Sequence, residues 1–143
     1  MYSLQKDGSL RQISREIAAI DSEHFGLGAS ANANNTVVLA RLPGGKATLR
    51  YLQGEAIKIV ASLPHSVDPR QLQLHKFQTK GEIRTSYLGR FRGESPGTWN
   101  TLSFHAQPLA DGSWLLEPNQ LRAGEYCFSP NFNNDNYCFG VNN

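Results

Sequence analysis

The sequence predicts an all-β fold, an antiparallel β-sandwich of about eight to ten short strands arranged in immunoglobulin-like or jelly-roll-like fashion. Three observations carry that expectation. From Thr36 onward apolar residues recur with a period of two, and glycine-bearing turns fall about every 8–12 residues. No amphipathic helix of about 10–15 residues separates the central segments, which disfavours a parallel α/β arrangement.

The N-terminal segment offers two solutions. Asp7-Gly8 between Leu4 and Leu10 announces a hairpin, whereas Leu10, Ile13, Ile17 and Ile20 recur at helical spacing and Ser9 with Gln12 fits a capping box. A strand and a short helix after Ser9 are therefore equal alternatives. The small, amide-rich run from Ala29 to Asn35 reads as a loop.

Three strands follow. Thr36 to Leu42 alternates and breaks at Pro43-Gly44-Gly45; Lys46 to Leu52 sets Ala47, Leu49 and Tyr51 against Lys46, Thr48 and Arg50; Glu55 to Ser62 follows Gln53-Gly54. Their proximity predicts an antiparallel meander. Pro64 and Pro69 frame a connection that leaves the sheet, because proline donates no ladder hydrogen bond.

Gln71 to Thr79 and Glu82 to Gly89 flank Lys80-Gly81, where glycine supplies the positive φ of a tight hairpin. After a polar stretch from Arg90 to Gly97, Thr101 to Ala106 and Ser113 to Glu117 enclose Asp111-Gly112 as a third hairpin, with Trp114 and Leu116 on one, core-directed face. Gly124 to Ser129 and Asn136 to Val141 form the fourth.

With 143 residues the chain suits one domain over 1–143, and folding buries roughly 68% of the extended surface without help from a metal. Hydrophobic residues at 39% and charges at 18% describe a globular chain; fourteen basic against twelve acidic residues leave +2, too little for a general nucleic-acid binder. No apolar run approaches the roughly 20 residues of a membrane helix, and Met1 to Gly28 lacks the basic start and apolar stretch of a signal peptide.

Chemistry is sparse. Cys127 and Cys138 lie symmetrically about the last hairpin, so a register that closes it sets them opposite each other at disulfide range, with Tyr126 beside Phe139 and Phe128 beside Tyr137 on the inward face. A disulfide implies a periplasmic or secreted protein; reduced thiols imply a cytoplasmic one. His24, His65, His75 and His105 form no short motif, although His75 and His105 lie in predicted strands able to meet on one face. Asn133, Asn134 and Asp135 lack the spacing of a calcium loop, so neither a metal nor a cofactor is implied. Hydrolase elbows, zinc helices and phosphate loops are missing.

Two binding surfaces stand out. Lys76, Lys80, Arg84, Arg90 and Arg92 with Phe77, Tyr87 and Phe91 make a basic, aromatic hairpin, and Arg84, Arg90 and Arg92 are the expected anion contacts. Trp99 with Asn100, following Pro96-Gly97, is the expected anchor for a sugar ring or a protein partner. The ending Leu121-Arg122-Ala123-Gly124-Glu125-Tyr126 with Cys138-Phe139-Gly140-Val141 resembles the closing hairpin of uncharacterised bacterial β-sandwich proteins, which carry proline where this chain has Ala123. The resemblance covers the last quarter of the chain, implies a bacterial sandwich and transfers no site.

The expected function is a non-enzymatic binding or interaction module belonging to an envelope-associated or secreted assembly, with another protein, an anionic surface or a carbohydrate as partner. A small carbohydrate-active or hydrolytic enzyme on the same scaffold, with carboxylates drawn from Glu55, Glu82, Glu94, Asp111 and Glu117, is the competing reading. Assembly through edge strands is the third.

Overall fold

A computed structural model describes residues 1–24, 36–90, 101–130 and 134–143. Those residues form β1 (Tyr2–Leu4), β2 (Leu10–Gln12), β3 (Arg15–Ile17), β4 (Ala19–His24), β5 (Thr36–Pro43), β6 (Leu49–Leu52) and β7 (Ile59–Ala61). A 3-10 turn at Pro69–Gln71 leads into β8 (Leu72–Lys80) and β9 (Ile83–Arg90). Then come β10 (Thr101–Leu102), β11 (Phe104–Pro108), β12 (Trp114–Pro118), β13 (Gly124–Pro130) and β14 (Asp135–Asn142).

Two sheets pack together as expected of a sandwich. The smaller has the order β11-β12-β7-β1-β2; the larger runs β3-β14-β13-β8-β9-β5-β4, with β10 beside β8 and β6 beside β14. All pairs are antiparallel except β6 with β14, which runs parallel. The terminal strands of the larger sheet, β3 and β4, are consecutive pieces of one segment separated only by Ala18. The sheet therefore curls until its two edges are joined by a single residue.

This closure explains the N-terminal segment. β1 and β2 form the Asp7-Gly8 hairpin, with Gly8 at φ +83° and the Asp7 carboxylate accepting from the Ser9 amide at 2.9 Å. Beyond it the chain is strand rather than helix: Ile13 enters the core, Ala18 points into the curl, and Ile17 and Ile20 stay exposed. A helix would have gathered these apolar residues on one face, but it would have left β14 and β5 without edge partners.

The predicted meander is corrected. β5 lies between β4 and β9, β6 joins β14, and β7 crosses to the other sheet between β1 and β12. The glycine turns exist, with Gly44 at φ +78° and Gly54 at +85°, but the first carries the chain from β5 to β6 on another part of the same sheet and the second carries it across to the other layer. The gain is two-sided burial: Leu49 and Tyr51 from the larger sheet meet Ile59 and Ala61 from the smaller one across a shared core. Likewise the predicted strand from Thr101 breaks at Ser103, so that β10 pairs with β8 and β11 pairs with β12.

Two apolar clusters result. Between the sheets, Tyr126, Phe128, Phe139, Leu74, Leu116 and Ile59 are fully or almost fully buried, with Phe104 edge-on to Phe128 at 5.0 Å and Tyr51 edge-on to Phe139 at 5.7 Å. Inside the curl lie Ala18, Ala40, Leu42, Ala47, Phe77 and the cysteines. Tight curvature leaves room mainly for small side chains there, which accounts for the alanines.

β13 and β14 pair in the register the cysteines predict: Cys127 faces Cys138, Tyr126 faces Phe139, and Phe128 faces Tyr137. The sulfurs are bonded and enclosed in the curl, while the aromatic side chains point into the core between the sheets. The link closes a loop of sequence separation 11, worth about 3 kcal/mol by loop-closure entropy. The double variant Cys127→Ala/Cys138→Ala is expected to lose about that much stability, read as a lower urea midpoint; an unchanged midpoint would show that the curl holds without the link.

Candidate functional site

The expected anion contact Arg84 is instead an internal group. Only 2% of it is exposed, its guanidinium pairs with Glu16, and it donates to the Pro43 carbonyl at 2.9 Å and the Gly44 carbonyl at 2.8 Å. Its position in β9 explains this, because Arg84, Ser86 and Leu88 alternate onto the face that looks into the curl. Burial of a guanidinium is tolerable only with such full pairing. Arg90 lies in β9 opposite Val37, with its side chain outside the described residues. Arg92, Trp99, Asn100 and Asn133 also lie outside them.

A second charged group mirrors Arg84. Glu125, almost fully buried, accepts from the Ala47 amide at 2.8 Å and pairs with Arg50, which also reaches Asn142. Arg84 and Glu125 thus grip the loop between β5 and β6 from two sides. His75 and His105 do not meet: His75 is buried in β8 across from Cys127, and His105 is exposed in β11 of the other sheet. Among the described residues no group of three His, Cys, Asp or Glu side chains gathers to hold a metal ion.

The described carboxylates are largely committed to the scaffold. Glu55 takes Lys6 and the Leu52 amide, Glu117 faces Lys58, Asp135 faces Arg15, and Arg41 bridges Asp21 and Glu23. Asp111 caps the β11–β12 turn by accepting from the Ser113 hydroxyl at 2.6 Å and its amide at 3.0 Å. Hydrogen bonding holds Asp7, Glu55, Asp68 and Asp111 below the usual carboxylate range. A general acid in glycoside hydrolysis requires the opposite shift.

Among the described residues, the cleft with the most suitable chemistry opens at one end of the sandwich. The connection from Leu63 to Arg70 crosses the mouth of the inter-sheet core and faces the β11–β12 hairpin, enclosing about 650 Å³. Trp114 forms one wall; half-buried, it packs against the core with Ala106. The opposite wall carries His65, Ser66, Val67, Asp68 and Arg70. Asp68 caps the 3-10 turn by accepting from the Arg70 amide at 2.8 Å, and both its oxygens are held by the Arg70 guanidinium at 2.5 to 3.0 Å. The hydrogen bond from that guanidinium is the main reason the Asp68 carboxyl is depressed below its ordinary 3.8.

At the other end of β12 a similar hollow of about 640 Å³ lies between Leu52–Ile57 and Pro118–Arg122. Two of its polar groups are engaged: Gln53 accepts from the Ala123 amide, and Glu55 serves Lys6 and Leu52. Among the described residues the outer strands of the smaller sheet are β2, three residues long with Arg11 at its centre, and β11, which ends at Pro108.

Comparison of the chain with known families, curated proteins and solved structures finds no match in any of the three.

Of the cleft residues, sequence points to Trp114 only as a core side chain and to Pro64 and Pro69 only as the frame of a connection that leaves the sheet. Trp114 alternates with buried Leu116 and reads as core; its half-exposure is set by where the Leu63–Arg70 connection settles, far along the chain. The Asp68-Pro69-Arg70 turn was a usable signal, because a capping aspartate two residues before an arginine fixes that guanidinium at a loop surface.

Arg84→Met is expected to cost about 3 kcal/mol, because Glu16 and two loop carbonyls lose their partner. Chemical denaturation checks the value, and a loss below about 1 kcal/mol would show the guanidinium to be dispensable.

Proposed function

We propose that this chain is a binding module without catalytic chemistry, and that its ligand seat is the cleft between Trp114 and the Leu63–Arg70 connection. The single observation behind this reading is a half-buried indole that faces a polar wall across a space of ligand size. A rigid aromatic wall on a sheet contributes contact area with little entropy to lose, and the opposing turn contributes donors and acceptors for orientation. Commitment of the described carboxylates to caps and ion pairs supports binding over hydrolysis. The enclosed Cys127–Cys138 link supports service in an oxidising compartment, in keeping with an envelope-associated or secreted assembly.

Thermal-shift screening tests the reading with neutral and acidic oligosaccharides, nucleotides and short peptides, comparing the wild type with Ala106→Trp, which adds bulk to the cleft lining. One ligand class should raise Tm in the wild type alone; saturation at a hundredfold excess over Kd is worth about 2.7 kcal/mol, several degrees for a chain of this size. An equal rise in both proteins, or turnover of any probe, would overturn the proposal.

A further inference from the structure

We infer that the cleft takes an uncharged carbohydrate stacked on Trp114, an assignment that rests on the binding reading above and names its ligand class. Three features converge on it. The indole is placed at the mouth of the core, held from behind by the inter-sheet cluster and open toward the cleft. Such a flat amphipathic platform matches the C–H face of a pyranose.

The second feature is charge. Arg70 and Asp68 are the cleft's opposite formal charges, and they neutralise each other across a two-residue turn. An anionic ligand arriving at Arg70 meets the Asp68 carboxylate behind it, and a cationic ligand arriving at Asp68 meets the guanidinium. Neither sign is favoured. A neutral polyol profits from both, because each sugar hydroxyl donates and accepts.

The third feature is the inventory of hydrogen-bonding groups on the polar wall. Arg70 offers planar donors, Asp68 has lone pairs to share, and Ser66 and His65 can each donate and accept. These groups lie on one short connection facing one aromatic wall, so a sugar ring between them would stack with one face and hydrogen-bond along its edge. Apolar Val67 and Pro64 narrow the same space without adding charge.

Isothermal titration with neutral oligosaccharides of glucose, galactose, mannose and N-acetylglucosamine tests the assignment, with polygalacturonate and short acidic and basic peptides as the contrasting probes. At least one neutral oligosaccharide should bind, with affinity unchanged within about twofold between 50 and 500 mM salt, since no net charge is screened. Trp114→Ala should weaken it at least tenfold. Because that variant also trims the core, Trp114→Phe and the exposed Arg70→Gln provide independent checks, each expected to weaken binding about three- to tenfold with the fold intact by circular dichroism.

Binding of a charged probe alone, lost in Ala106→Trp, would overturn the carbohydrate assignment and leave the cleft as the ligand seat. Sugar binding indifferent to Trp114, Arg70 and Ala106→Trp would overturn both. Silence across every probe class would likewise count against both.

Discussion

The structure depends on one closure. A single segment, Arg15 to His24, supplies both edges of the larger sheet, one to β14 and the other to β5, and Ala18 is the hinge between them. A sheet that bends back on itself in this way has little interior volume, and the chain fills it with alanines, Leu42, Phe77 and a cystine, with Leu88 packed alongside. The bonded sulfurs occupy the concave side of β13 and β14, so the bulky aromatics of the same strands must face outward from the curl. Those aromatics become the floor of the second layer. The inter-sheet core is thus a consequence of how the curl is filled.

Two charged groups finish what the apolar residues leave open. The loop from Pro43 to Thr48 is fastened by Arg84 through the Pro43 and Gly44 carbonyls and by Glu125 through the Ala47 amide. Gly45 approaches the Gly81 carbonyl so closely that an added Cβ would stand 2.6 Å from it, and a Cβ on Gly140 would collide with the Arg50 guanidinium. These positions need glycine for space. With the curl fixed at this end, the sandwich presents the Trp114 indole, backed by the inter-sheet core, at one of its mouths.

The legible parts of the fold were local. The last hairpin follows from two cysteines placed symmetrically about a loop, because a period of two then assigns every side chain to a face. The same logic places Gly8, Gly81 and Gly112 at positive φ in the turns. Strand partners between Thr36 and Ser62 were not legible, since alternation tells which face is buried and says nothing about which neighbour lies alongside. Arg84 misled for a related reason: a basic residue in a strand reads as solvent-facing until its parity with Leu88 and its pairing with Glu16 are known. The cleft depends on a connection and a hairpin brought together by the two layers, and no short motif records that meeting.

The pairing of β3 with β14 and of β6 with β14 also imposes an order on biosynthesis. An emerging polypeptide holds β3 and β6 without this neighbour until β14 has been made, long after both of them. The cystine hairpin, being local, can close as soon as it clears the ribosome or translocon, and it then serves as the template on which the waiting amino-terminal edge is laid.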